Sequence, residues 1–123
     1  MLVASDLDGM ISANPIEMQG LLSALRAAGH SVVIITGHSG DTVTQDDWNN
    51  KLNYLNKLGC QECFDTLVVI ANPPGSDLAA AKANWLSDNA CSIFFDNAVA
   101  NVKSASAAGV PLCLVNWANK VKS

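Results

Sequence analysis

Short apolar runs that do not alternate with polar residues limit the fold of this chain more than any other feature. The clearest is Ser31–Thr36 (SVVIIT), a continuous β-branched run. A strand of this kind is covered on both faces, which is typical of parallel sheets. Four other segments have strand character: Leu2–Leu7, Thr66–Ala71, Ser92–Asp96 and Pro111–Val115. We therefore expect about five strands in a parallel sheet.

Helical segments separate these strands. The first has apolar side chains at the i, i+3, i+4 and i+7 positions of one helical face, and it is followed by a glycine stop. The predicted helices are Glu17–Ala28, Thr42–Leu58, Ser76–Asp88 (with Ser76 as its cap) and Ala98–Ala108. A βαβαβαβαβ order with right-handed crossovers predicts an α/β fold, a three-layer doubly wound parallel sheet with helices on both faces.

Size and composition fit one domain. The chain has 123 residues, half of them hydrophobic and 15% charged, which argues against disorder and favours a single domain over residues 1–123. Its net charge of -4 does not favour general binding to nucleic acid or anionic membranes. Since the sequence contains neither a stretch of about 18 apolar residues nor a basic-then-apolar leader, we expect no membrane partner and a cytoplasmic location.

The four cysteines suggest no metal site. Cys60 and Cys63 form a C-x-x-C pair, which could bind zinc or act in redox chemistry. Neither a second such pair nor a pair of histidines completes a zinc set. We therefore expect two reduced thiols in a helix-to-strand connection, and core positions for Cys91 and Cys113.

Polar side chains cluster where the predicted strands end. In doubly wound sheets, ligands bind at the carboxyl ends of the strands, at the point where the strand order reverses. Two close aspartates repel and lose hydration, a cost that usually marks a metal, a phosphate or catalysis. Carboxylates suit Mg²⁺, and a hydroxyl and an ammonium can hold phosphate oxygens. The residues expected at this edge are Asp6, Asp8, Thr36, Lys82, Asp96 and Asn97.

Four segments resemble the motifs of the haloacid dehalogenase-like (HAD) superfamily of phosphohydrolases. DLDGMI resembles its D-x-D-G-[TV] motif, and VVIITG resembles its second motif. AAAKANWL resembles the helix that bears its lysine, and SIFFDNAVANVKSASAAGVP resembles its fourth motif. The resemblance spans Leu2–Val115. It implies the Rossmann-like HAD fold and a Mg²⁺-dependent phosphatase, a phosphomonoester hydrolase that forms an aspartyl-phosphate intermediate.

The resemblance also implies roles for the matched residues. Asp6 would be the nucleophile and Asp8 the general acid/base. Thr36 would hydrogen-bond the phosphoryl oxygens, and Lys82 (with Lys103 as the fallback) would neutralise the phosphorylated aspartate. The implied metal set is Asp6, Asp8 through its backbone carbonyl, Asp96 and Asn97. The implied substrate contacts are Gly9, Gly37 and His38.

Two features leave alternatives open. Asn97 stands where the family usually has a second acid, so the chain could instead be a catalytically weak or silent domain used for binding or assembly. Residues 11–16 and 72–77 are too short to hold a cap domain, which implies an open site. Such a site would suit a phosphorylated small molecule, a phosphorylated macromolecular end or a homo-oligomer. A helix start capped by Asp41 is the simpler interpretation of the acidic segment after His38.

Overall fold

A computed structural model describes residues 1–116 as a five-stranded parallel sheet between two helical layers. The strand order is β3-β2-β1-β4-β5. The strands are β1 (Leu2–Ser5), β2 (Ser31–Ser39), β3 (Thr66–Asn72), β4 (Ile93–Asp96) and β5 (Leu112–Val115). The helices are α1 (Pro15–Ala27), α2 (Gln45–Lys57), α3 (Leu78–Asp88) and α4 (Val99–Ala107). The predicted three-layer α/β fold is confirmed.

The two faces of the sheet bury separate apolar clusters. Alternate residues of β2 point to opposite faces, yet both sets are buried, as expected for a strand that does not alternate. One cluster packs beneath α1 and α2 and includes Val32, Ile34, Leu22 and Leu55. The other packs beneath α3 and α4 and includes Val33, Ile35, Leu86 and Ala105. Because β1 lies between β2 and β4, the strand order reverses beside β1.

The chain leaves β1 earlier than the sequence predicts. β1 ends at Ser5, and the Asp6 N–H donates to the Phe95 carbonyl of β4 at 2.9 Å. Leu7–Ile11 then forms a turn with a kink, in which Asp8 and Gly9 are not helical and Gly9 has a φ of +80°. Glycine adopts this left-handed conformation without the steric cost that a side chain would bring. The turn places the polar residues after β1 across the end of the sheet.

Strand β2 is longer than predicted, and the following helix begins later. Gly37 to Ser39 continue the strand, because they pair with the last three residues of β3. Asp41 does not cap α2. Thr44 does so through a capping box, in which its side chain accepts from the Asp47 N–H and the Asp47 side chain accepts from the Thr44 N–H. Similarly, Asp77 rather than Ser76 caps α3.

Cys60 and Cys63 are joined by a disulfide, so the prediction of two reduced thiols is wrong. The connection between α2 and β3 brings their Cα atoms to 5.2 Å, a separation that a disulfide can span. Both side chains are buried against the α1/α2 side of the sheet. Cys91 is buried and free, whereas Cys113 is only partly buried.

Two expected absences concern the outline of the fold. Within residues 1–116, the segments after β1 and β3 are too short for a cap domain, as predicted. None of the helices in this part of the chain combines the length and apolar character needed to cross a bilayer. Homo-oligomer formation and a cytoplasmic location stay predictions.

Candidate functional site

A cavity of about 240 Å³ opens at the carboxyl edge of the sheet. It lies beside β1 and β4, where the strand order reverses and where ligands bind in doubly wound sheets. Its lining comes from residues in or just after the carboxyl ends of β1, β2, β3 and β4 and from helices α3 and α4. The polar lining residues include Asp6, Asp8, Thr36, Ser39, Asn72, Lys82, Asn97 and Asn101.

Lys82 is the buried cation of the site. Helix α3 packs beside α4 and directs this side chain under the edge of the sheet, where it is only 2% exposed. Its Nζ donates to Asp6 Oδ1 at 2.8 Å and to Asp96 Oδ2 at 3.2 Å. A buried ammonium needs such partners, because an isolated charge in the protein interior is very costly. Lys82 therefore holds the ends of β1 and β4 together electrostatically.

Asp6 is held in an environment that disfavours its charge. Burial raises the pKa of Asp6 from 3.8 to about 6, against the lowering effect of Lys82. The neighbouring Asp96 carboxylate also raises this pKa. Desolvation and like charge both favour the protonated form. Asp6 therefore changes its charge closer to neutral pH than an ordinary aspartate does.

Asp96 is fully buried and connects the sheet to α4. Its Oδ1 accepts from the Ala98 N–H at 2.8 Å, immediately before α4 begins. Its Oδ2 accepts from Asn101 Nδ2 at 2.9 Å as well as from Lys82. The carboxylate thus satisfies donors at the helix N-terminus, where negative charge is favourable.

Asn97 completes a closed set of contacts. With its amide nitrogen turned inward, Nδ2 lies 2.9 Å from the Asp8 carbonyl oxygen, 3.0 Å from Asp6 Oδ2 and 3.2 Å from Asp96 Oδ1. The opposite orientation would put the amide oxygen against three acceptors, so hydrogen bonding selects this one. We call Asp6, Lys82, Asp96 and Asn97 the polar ring. In it, each carboxylate gives one oxygen to Lys82 and the other to Asn97.

The Asp8 side chain does not join the polar ring. It is 61% exposed, and its Oδ2 lies 3.5 Å from Lys51 Nζ of α2. Only the backbone carbonyl of Asp8 points to Asn97. The backbone of the Leu7–Ile11 turn explains this division, because Asp8 has extended dihedral angles and Gly9 reverses the chain. Asp6 and Asp8 are two positions apart in sequence, yet only one carboxylate is buried.

The remaining predicted residues lie at different distances from the cavity. Thr36 and Gly37 line it, and Thr36 is 1% exposed. His38 lies outside the lining, and its Nε2 is 3.3 Å from Asp47 Oδ2 of α2. Gly9 is in contact with the Asn97 amide region rather than with the cavity. Lys103 of α4 is exposed and lies outside the lining, whereas Lys82 is part of it.

Sequence reasoning missed several polar groups. Ser39 and Asn72 reach the cavity because β2 and β3 extend beyond their β-branched runs and pair in register at that point. Asn101 lies in the first turn of α4 and donates to Asp96 at the end of β4, and no local sequence pattern links the two residues. Lys51 belongs to a helix remote in sequence, so no local pattern could have indicated its approach to Asp8.

The oxygen atoms around the Asn97 amide are of the kind that a hard divalent cation binds. Two carboxylate oxygens and one backbone carbonyl oxygen converge on one point, and Mg²⁺ is usually bound through one or two carboxylates together with waters. Within the described residues, no group of three His, Cys, Asp or Glu side chains is arranged to hold a metal ion. A cation here would therefore depend on the carbonyl and on water or ligand oxygens.

Comparison with known proteins gives matches among solved structures alone. No protein-family model matches the chain, and no curated protein matches it. A crystal structure of a universal stress protein family member from Burkholderia pseudomallei has a TM-score of 0.53 and 12% identity, with 92% of this chain and 94% of that chain covered. A universal stress protein in complex with cAMP has a TM-score of 0.54 and 9% identity, with 94% and 95% covered.

These matches correct the family predicted from the sequence. The neighbours belong to the universal stress protein family, a Rossmann-like family distinct from the HAD superfamily. The identification as a HAD-like phosphohydrolase is therefore wrong, and so is the predicted phosphatase activity. At these identities the matches show a shared fold. The predicted Rossmann-like sheet is confirmed, but its specific assignment to the HAD fold is not.

The reason for this error lies in the fold itself. Every doubly wound sheet collects the residues after its strands at one edge, so polar residues in ligand-binding members recur there in the same chain order. Short motifs at these positions indicate a ligand edge more reliably than they identify a family. Fold alone does not determine function, which depends on the geometry of the site.

Proposed function

We propose that this chain binds a phosphorylated small molecule of the nucleotide class, together with a divalent cation such as Mg²⁺, in the cavity at the carboxyl edge of its sheet. The observation that carries the proposal is the convergence of three oxygens, from Asp6, Asp8 and Asp96, within 3.2 Å of one side-chain atom beside the cavity. The universal stress protein in complex with cAMP, which has a similar fold, supports the choice of a nucleotide.

The charges of the site explain why a cation belongs to this proposal. Three carboxylates (Asp6, Asp8 and Asp96) face two ammonium groups (Lys51 and Lys82), which leaves a net negative charge when all are ionised. A phosphate would be repelled by this arrangement unless a cation accompanied it. Lys82 cannot neutralise the phosphate by itself, because its ammonium already pairs with two buried carboxylates.

The residues take three roles in this proposal. Asp6, Asp96 and the Asp8 carbonyl would hold the cation, which when bound would offset the charge between carboxylates and phosphate. Thr36, in β2, would donate its hydroxyl to a ligand oxygen. Lys82 keeps the two buried carboxylates in place.

The size of the cavity limits what it can enclose. Ligand pockets usually measure about 300–1,000 Å³. At about 240 Å³, this cavity fits the phosphate and an adjoining sugar, and leaves the rest of the ligand at the mouth. Lys51 lies at that mouth beside the exposed Asp8 carboxylate. The mouth can therefore contact the outer part of a bound nucleotide.

Calorimetric titration with AMP, cAMP and ATP tests the proposal. Each nucleotide is added in Mg²⁺ and, separately, in chelator, and we expect binding that Mg²⁺ strengthens. Thr36→Val keeps the side-chain shape and removes the hydroxyl. Since the loss of one hydrogen bond costs about 1.4 kcal/mol, we expect about tenfold weaker binding.

Thr66→Val is the matched control, because Thr66 is exposed at the opposite end of the sheet, at the start of β3. Its nucleotide affinity should equal that of the wild-type protein. The proposal is rejected if none of the three nucleotides binds under either condition. Equal weakening by both valine substitutions would reject the assignment of the cavity.

A further inference from the structure

We propose that the Asn97 side chain occupies the cation position in the cation-free protein, and that a binding cation displaces it. This inference rests on the proposed function, because it concerns the same site. It assigns Asn97 a role as an internal competitor of the cation. The sequence-based prediction instead places Asn97 among the metal ligands.

The Asn97 amide stands where a cation would contact the oxygens of the site. Its Nδ2 lies within 3.2 Å of all three oxygens on which a cation would depend, namely Asp6 Oδ2, the Asp8 carbonyl oxygen and Asp96 Oδ1. A cation cannot contact these atoms together while an amide nitrogen stands between them. The amide and the cation therefore exclude each other.

Gly9 makes room for the Asn97 amide at this position. A Cβ placed on Gly9 would lie 2.3 Å from the nearest amide atom of Asn97, closer than real Cβ atoms approach any neighbour. The φ of +80° at Gly9 also favours glycine. The turn after β1 thus presents bare backbone where Asn97 packs.

The Asn97 amide has too few hydrogens for the oxygens around it. An amide NH₂ group carries two hydrogens, whereas three acceptor oxygens surround it. At least one contact must be shared or weak, and the amide brings no charge to offset two carboxylates. A divalent cation brings both the charge and a preference for several oxygen ligands. The amide can hold the site together without a cation and still be displaced by one.

Titration calorimetry with MgCl₂ alone tests the inference on the wild-type protein, Asn97→Ala and Asn101→Ala. Removal of the competing amide should strengthen Mg²⁺ binding by about tenfold, the equivalent of about 1.4 kcal/mol. The same substitution should lower the thermal unfolding midpoint in chelator, because three oxygens lose their shared donor. Addition of Mg²⁺ should therefore raise the midpoint of Asn97→Ala more than that of the wild type.

Asn101→Ala is the matched control, because Asn101 Nδ2 also donates to Asp96, but to the oxygen that faces Lys82. It should lower the midpoint in chelator without strengthening Mg²⁺ binding. If Asn97→Ala does not fold, Asn97→Ser replaces it, since a short hydroxyl side chain also vacates the position. In labelled wild-type protein, the Asn97 side-chain amide resonances should shift as Mg²⁺ is added.

The outcomes separate this inference from the proposed function. If the wild type binds Mg²⁺ and Asn97→Ala binds it with equal or lower affinity, the inference alone is overturned. A lower affinity would make Asn97 a ligand of the cation. An equal gain in Asn101→Ala also overturns it, because general loosening would then explain the effect. Absence of Mg²⁺ binding in all the proteins overturns the cation in the proposed function and the inference with it.

Discussion

Replacement of Lys82 by methionine is the most direct test of the electrostatic account of this site. Lys82 is 2% exposed, and its Nζ lies 2.8 Å from Asp6 and 3.2 Å from Asp96. Methionine has a similar length and no charge, so Lys82→Met leaves two buried carboxylates without their cation. Breaking a buried pair in this way costs about 3–5 kcal/mol, because the remaining charge is uncompensated.

Lys51→Met is the matched control for that substitution. It removes the same ammonium from a side chain that is 22% exposed and 3.5 Å from the 61% exposed Asp8 side chain. Exposed ion pairs contribute about 0–1 kcal/mol, since water and salt already screen both charges. The two variants therefore differ in burial and pairing but share their chemistry.

Urea unfolding at pH 7.5 in chelator measures both free energies. We expect a loss of at least about 3 kcal/mol for Lys82→Met and less than about 1 kcal/mol for Lys51→Met. If Lys82→Met is too unstable to measure, the double variant Asp6→Asn/Lys82→Met should be more stable than Lys82→Met, because one stranded charge is gone. Equal losses in the two single variants would refute the reasoning, as would a double variant no more stable than Lys82→Met.

Two further predictions concern protonation and the disulfide. Burial raises the pKa of Asp6 from 3.8 to about 6, so its contribution to stability is greatest below pH 3.8 and is lost as the pH rises to about 6. At 1.36 kcal/mol per pKa unit, this loss of unfolding free energy is roughly 3 kcal/mol. Urea unfolding from pH 4 to 7.5 should show no such loss in Asp6→Asn. The exposed control Asp88→Asn should lose stability with rising pH as the wild type does. For Cys60 and Cys63, mass spectrometry after alkylation of the unfolded, unreduced protein should show two modified cysteines, and four after reduction. Four modified cysteines without reduction would contradict the disulfide.

The sequence was sufficient for the sheet because hydrophobic patterns act locally. A continuous β-branched run such as Ser31–Thr36 already indicates burial on both faces, whichever elements cover it. Glycine stops indicated where helices end for the same reason. Boundaries that depend on pairing were not predictable, since Gly37 to Ser39 have no local strand signal and extend β2 only because β3 lies beside them.

The site was predictable in its location and not in its arrangement. Asp6, Thr36 and Lys82 were expected at one edge, and the structure places all three at the cavity there. The sequence could not show that the Asp8 carboxylate points outward, because that depends on the dihedral angles of the turn. His38 turns to α2 for a similar reason, as Asp47 offers it a partner there.

The amino-acid sequence by itself determined a parallel α/β sheet and the edge at which its polar residues meet, because strand and helix patterns need only near neighbours. Tertiary structure alone decided which of those residues face each other. Lys82 reaches Asp6 across 76 positions of the chain, and Asn97 reaches the Asp8 carbonyl from another strand end. Charge and hydrogen bonding act over a few ångströms in space, and distance along the chain does not reveal which groups come that close.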